Sequence, residues 1–215
     1  MQNNRSIQRC LAILRAFRSQ GRPTLAELSR AVDLPHPTVL RFLQTLEEEG
    51  YVRKLEGRWQ LAPPVLEIGF AAMESLGVSD IVQQRLQALA DQVSGTSNLG
   101  ERHPEGVIIV GRAMAAAERR RLVVMNLRVG SVLPPDSALA GALGLAPGAS
   151  ARRTYAESQQ LSLAVSIPEL AGRQMTVGIS STVTDIPTPE QEEALIADLH
   201  ATAKDIARIM NAAAV

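Results

Sequence analysis

Apolar side chains recur at helical spacing in three successive runs over the first 46 residues. In the first, Ile7, Cys10, Leu11, Leu14 and Phe17 share one side of a helix predicted from a Ser6 cap to about Arg18. In the second, Leu25, Ala26, Leu28 and Val32 follow Thr24, and Thr24 with Glu27 makes a capping box that fixes the start. Asp33 and Leu34 turn the chain, Pro35 and Pro37 suit the opening positions of a third helix, and Gly50 stops it. That third helix turns Val39, Phe42, Leu43 and Leu46 inward and leaves His36, Thr38, Arg41, Gln44 and Thr45 on its other side. A row of hydrogen-bonding side chains on the second helix of such a pair is what a major groove requires, although an ordinary helical hairpin with a solvated face carries the same pattern.

Beyond Gly50 the period shortens from helical to two. Residues 51–54 read as a strand, 55–58 as a turn and 59–61 as the returning strand. A basic hairpin directly after a helix pair is a wing, able to set Lys54 or Arg58 beside phosphate, with Arg53 alongside, while Trp59 packs beneath. Ala62, Pro63 and Pro64 then break the strand. The next run, VLEIGFAAMESL over residues 65–76, is apolar almost all round, more than an exposed connector needs, which points to packing against another chain.

Gly77, Val78 and Ser79 mark a boundary, and Asp80 begins an amphipathic helix with Ile81, Val82, Leu86, Leu89 and Val93 inward. Strands are predicted over 96–101, 107–112 and 121–128, a short helix around 137–143, a polar loop over 149–160, and two more strands over 161–167 and 174–181. Thr188 caps a long closing helix with Leu195, Ile196, Leu199, Ala203, Ile206 and Ile209 as its buried stripe. The fold class is therefore α+β. The predicted division is a winged helix-turn-helix over 1–62, a linker helix over 63–79 and a second domain over 80–215.

Charge and chemistry narrow the function. With 46% apolar residues in 215, real cores are available. The 22 basic and 22 acidic side chains cancel, but the basic ones crowd the first third: Arg5, Arg9, Arg15, Arg18, Arg22, Arg30, Arg41, Arg53, Lys54 and Arg58. Glu47, Glu48 and Glu49 would repel phosphate, so that end of the third helix should point away from DNA. Cys10 is alone, which excludes an internal disulfide and suits a reducing compartment. No apolar run approaches the ~20 residues of a membrane span and the first residues do not read as a signal peptide, so the expected location is cytoplasmic, with no membrane partner. His36, His103 and His200 lie far apart with no cysteine at ligand spacing, and GVIIVGR lacks the Lys and Ser/Thr of a phosphate loop. No cofactor, metal or enzymatic activity is expected. Glu118 and the three arginines after it form a second basic cluster, more simply a solvated strand entrance than an anion site.

The segments SIQRCLAILRAF, TLAELSRAVDLPHPTVLRFLQTLEEEGYV and GRWQLAPPVLEIG resemble the winged helix-turn-helix of IclR-type bacterial transcriptional regulators, closely over the first third and more loosely beyond it. The resemblance implies a GAF-like effector-binding domain after the linker helix, and a repressor of transcription that answers a small organic-acid or aromatic effector. The further helix and strand that normally complete the effector pocket, with an acidic residue, shrink here to the stretch between Gly148 and Leu161, so part of the usual pocket is lacking. Ser137, Ala138 and Leu139 match the family's pocket-side loop, Ser162 stands where the family often has Cys, and Gly178 and Ser180 match small polar positions on the last strand. Small residues of this kind could host an organic acid through hydroxyl and backbone N–H donors, or merely permit tight helix-on-sheet packing. On the DNA side, Thr38, Arg41 and Gln44 are expected to read bases, with His36, Arg53, Lys54 and Arg58 on the backbone. One helix and wing offer too few contacts for operator affinity, so a homodimer or dimer of dimers on a roughly palindromic double-stranded DNA operator is expected. The alternative is a winged scaffold for protein interaction or dimerisation, with neither operator nor ligand.

Overall fold

In the computed structural model, which describes residues 3–121, 127–156, 159–170, 172–182 and 187–213, the chain forms two units, residues 1–72 and 73–215. The first opens with α1 (Arg5–Gln20). Its cap is Asn4 and not Ser6, because the Asn4 side chain accepts the N–H groups of Ser6 and Ile7 at 3.0 and 3.2 Å. The inward stripe also sits differently from the one expected. Ile13 and Phe17 are buried, Cys10 and Leu14 are half-buried, and Ile7 and Leu11 are 57% and 44% exposed. An i, i+3, i+4 stripe through 10, 13, 14 and 17 faces the other helices, and Ile7 falls one turn short of them.

The capping box of α2 (Leu25–Val32) forms as predicted: Thr24 Oγ1 accepts Glu27 N–H at 3.2 Å, and Glu27 Oε2 accepts Thr24 N–H at 2.7 Å. Asp33, at φ 50°, closes the helix in the left-handed conformation, and Pro35 leads into α3 (His36–Glu48). The wing is β1 (Val52–Leu55) paired with β2 (Arg58–Leu61). Its turn is tighter than the predicted four residues, just Glu56 and Gly57, both at positive φ as a type I′ turn demands. Leu28, Val39, Leu43, Val52 and Trp59 join Ile13 and Phe17 in the core of this unit. The linker helix α4 (Val65–Ser75) buries none of its side chains, and Leu66, Ile68 and Phe70 are each at least 60% exposed.

In the second unit α5 (Asp80–Gln92) begins at a Ser79 cap and buries Val82, Leu86, Leu89 and Ala90. Ile81, expected inward, is exposed, since it lies one position off that stripe. A six-stranded sheet follows, built from β3 (Thr96–His103), β4 (Gly106–Met114), β5 (Val132–Leu133), β6 (Ser150–Tyr155), β7 (Gln160–Ser166) and β8 (Met175–Thr182). Its order is β5-β4-β3-β8-β7-β6, with every pairing antiparallel. β6 corrects the loop expected over 149–160: the sheet has its outer strand, and among the described residues no helix connects α7 (Ala138–Gly141) to it. The strand expected over 121–128 is corrected at its start, where Arg121 ends α6 (Ala116–Arg121), and residues 122–126 lie outside the described residues.

The closing helix α8 (Pro189–Ala213) lies with α5 on one face of the sheet, where Leu86, Leu99, Leu163, Val177, Leu199 and Ile206 are core residues. The shorter α7 covers the other face against Val107 and Ala164. At one end of the sheet Arg173 grips Glu101 with Nε and Nη2, at 3.0 and 3.1 Å, while Nη1 donates to the Leu76 carbonyl at 2.9 Å. No described helix is long and apolar enough to cross a membrane.

Candidate nucleic-acid interface and sheet-face site

α3 is held from one side only. Val39 and Leu43 are fully buried and Leu46 nearly so, while His36, Arg41, Gln44 and Thr45 are exposed and Thr38 is half-buried. The sequence places these groups by helical spacing alone, and the core fixes which side they leave by. Thr45 Oγ1 donates to the Arg41 carbonyl at 3.2 Å, so its hydroxyl is partly spent inside the helix. Phe42, expected inward with the core positions, is half-buried.

The wing is tied to the helices by main-chain bonds. Tyr51 N–H reaches the Leu46 carbonyl at 2.8 Å, Trp59 N–H the Pro23 carbonyl at 2.8 Å, and Ala62 N–H the Tyr51 carbonyl at 2.9 Å. Glu47 adds a link that composition does not reveal: its Oε1 accepts the Lys54 N–H at 3.2 Å. Trp59 is buried beneath the hairpin, and Lys54 Nζ stands 5.6 Å from its ring centroid, within cation–π range. Arg53 and Lys54 are exposed. Arg58 meets a competing demand, since its Nη1 donates to the Arg22 carbonyl at 2.9 Å and lies 3.5 Å from Glu27 Oε2. The Glu27 carboxyl is held below its ordinary range by the hydrogen bonds of Thr24, backbone first and hydroxyl second, with the charges of Arg58 and Arg30 assisting.

In the second unit the register gathers Ser162, Gly178 and Ser180 on one face of the sheet, with Ser162 opposite Ser180 and Gly178 opposite Ala164. The two hydroxyls share a 2.6 Å hydrogen bond. Ser137 is consumed locally, donating to the Pro134 carbonyl at 2.8 Å and accepting the Ala140 N–H at 3.3 Å as the cap of α7. Ala138 and Leu139 are buried against the sheet. A Cβ at Gly178 would stand 3.2 Å from Leu139 Cδ2 and 2.7 Å from the Leu163 carbonyl, so the glycine is what lets the helix and the strands close up. The same face carries residues that the sequence reading did not single out: Asn98 and Thr96 on β3, Thr176 on β8, and Arg112 opposite Asn98 on β4. Neither TSNLG nor IIVGR alternates between polar and apolar, so strand register and not sequence pattern brings these residues together. Among the described residues no group of His, Cys, Asp and Glu is placed to hold a metal ion.

Residues 6–56 match the family described as the IclR helix-turn-helix domain. The Pca regulon regulatory protein of Pseudomonas putida is 30% identical over 130 residues, which are 60% of this chain and 44% of that protein. The chain spans about half the length of the curated relatives it matches. An IclR family transcriptional regulator from Brucella abortus has the same fold, with a TM-score of 0.79 at 18% identity over 96% of this chain and 93% of the other. So does an IclR homolog from Microbacterium hydrocarbonoxydans complexed with 4-hydroxybenzoate, at a TM-score of 0.76 and 15% identity over 96% and 99% of the two chains. Residues 6–56 thus match the IclR helix-turn-helix domain, and the fold of the chain is similar to that of IclR-type regulators.

Proposed function

We propose that this protein is a sequence-specific DNA-binding regulator of transcription, a repressor acting as a homodimer or dimer of dimers, whose operator affinity answers a small organic or aromatic acid. The observation that carries the reading is the exposure of Arg41 and Gln44 on a helix anchored by fully buried Val39 and Leu43, beside a wing that leaves Arg53 and Lys54 outside. Thr38, Arg41 and Gln44 read base edges, and His36, Arg53 and Lys54 hold phosphate. Arg58, turned toward Glu27, is better suited to bracing the wing than to binding DNA. Two copies are needed because one helix and wing are a small footprint, and the bare apolar side chains of α4 favour self-association. The effector reading draws on the 4-hydroxybenzoate complex of a protein with this fold and on the hydroxyls of Ser162 and Ser180.

The test selects duplexes from a random pool and measures selected and random affinity by fluorescence anisotropy at one salt concentration. Arg41→Ala should lose ~1–3 kcal/mol on the selected site and little on random duplex, whereas Lys54→Ala should weaken both alike and flatten the salt slope by about one unit. Equal affinity for selected and random DNA would favour a protein-interaction scaffold and remove the regulator reading.

A further inference from the structure

The sheet face opposite α5 and α8 buries more hydrogen-bonding capacity than the chain satisfies. Asn98 and Thr176 are at most 4% exposed there, and Ser162 is 7% exposed. Arg112, half-buried on β4, donates through Nη1 to Asn98 Oδ1, its cross-strand neighbour. Its Nε is buried without a hydrogen-bond partner, and so is Thr176 Oγ1. Buried polar atoms nearly always have a partner in native interiors, and the orphans among the described residues include these two on this face, one of them a charged donor. The orphan on Arg112 is a cationic N–H, whose natural complement is an anionic oxygen. Burial lowers the affinity of this guanidinium for its proton, and the charge of Glu118 acts in the opposite direction. Register places Gly178, with no side chain, beside Asn98, and the Ser162–Ser180 pair one step further along the strands. Leu139 packs over Gly178, so a carboxylate would meet this row at its Arg112 end, against the guanidinium edge.

We propose that Arg112, oriented by Asn98, is the residue that receives the carboxylate of an acidic effector on this face. The inference rests on the effector reading above and gives it a charge requirement: an acid binds and its neutral amide does not. Arg112 takes no part in the helix-turn-helix, so its failure and that of the DNA-binding reading can be told apart.

Thermal shift and titration calorimetry on the full chain, at ionic strength held constant with sodium chloride, compare acetate, benzoate and 4-hydroxybenzoate with acetamide and benzamide. The wild type should melt higher as carboxylate is added, the amides should leave it unchanged, and Arg112→Met should lose the response. Arg112→Lys, which keeps the charge but not the planar fork, covers the case in which the Met variant does not fold, and should bind at least tenfold more weakly. Absence of any carboxylate response in the wild type, equal responses to acid and amide, or undiminished affinity in Arg112→Lys would each overturn the proposal. A ligand response that survives with neutral compounds would leave the effector reading standing without Arg112, and loss of operator selectivity would leave the carboxylate titration still decisive.

Discussion

Trp59 is the chain's single tryptophan and lies 2% exposed under the wing, yet its indole N–H has no hydrogen-bond partner. Two substitutions separate what its bulk does from what its nitrogen does. Trp59→Ala removes the whole ring from the core shared with Ile13, Phe17 and Leu43, and should cost ~3–5 kcal/mol. Trp59→Phe leaves a cavity of roughly 40 Å³, ~1 kcal/mol at about 24 cal/mol per Å³, and loses a further ~1 kcal/mol of apolar transfer energy. Against that, deleting a buried donor that bonds to nothing returns its desolvation cost, ~1–3 kcal/mol. The Phe variant should therefore lie within about 1 kcal/mol of the wild type, on either side. In Trp59→Phe, Lys54 keeps an aromatic face below it, so the cation–π contact should persist. Urea melts followed by far-ultraviolet circular dichroism measure both differences. A loss above ~3 kcal/mol for Trp59→Phe would show that the indole N–H is bonded after all, and would refute the reasoning.

Other outcomes follow from single contacts. Because folding depresses the Glu27 carboxyl below its ordinary value, its contribution is present above that value and is lost as pH falls through the depressed one. The melting temperature of wild type should exceed that of Glu27→Gln at neutral pH, and the gap should close on acidification. Gly178→Ala would push a Cβ to 2.7 Å from the Leu163 carbonyl and should destabilise by ~1–3 kcal/mol; adding Leu139→Ala should not rescue it, since the obstacle is main chain. Arg173→Met leaves the Glu101 carboxylate and the Leu76 carbonyl without a donor on two groups about a quarter exposed or less, and should cost ~1–3 kcal/mol, with Glu101→Gln adding little on top in a double-mutant cycle.

Local rules made the helix-turn-helix legible. A capping box, paired prolines and a clean apolar stripe on α3 each depend on neighbours within one helical turn. Ile7 and Leu11 misled because an apolar residue on a helix carries no label saying which side the rest of the unit takes. β6 was hidden for a related reason: as the outer strand it leaves Arg152, Arg153 and Thr154 exposed, so its sequence lacks the alternation that betrays a strand with a core beneath it. α6 consists of good helix formers, but six residues are too few to show a helical period. Arg112 could be placed only by pairing β4 with β3, since the meaning of a basic residue near a strand end depends on what lies across from it. By charge alone Glu47 is a residue to keep away from DNA; its tie to the Lys54 N–H depends on how the hairpin folds back, which spacing in the helix cannot reveal.

That tie, with the main-chain bonds from Tyr51, Trp59 and Ala62, makes the helix pair and the wing one rigid tool. A ligand signal could not readily swing the wing open without breaking several hydrogen bonds at once. On the dimeric, ligand-controlled reading proposed above, control would instead work like a caliper, by changing the spacing or tilt between two such heads, so that operators with altered half-site separation should reverse the preference of liganded and free protein.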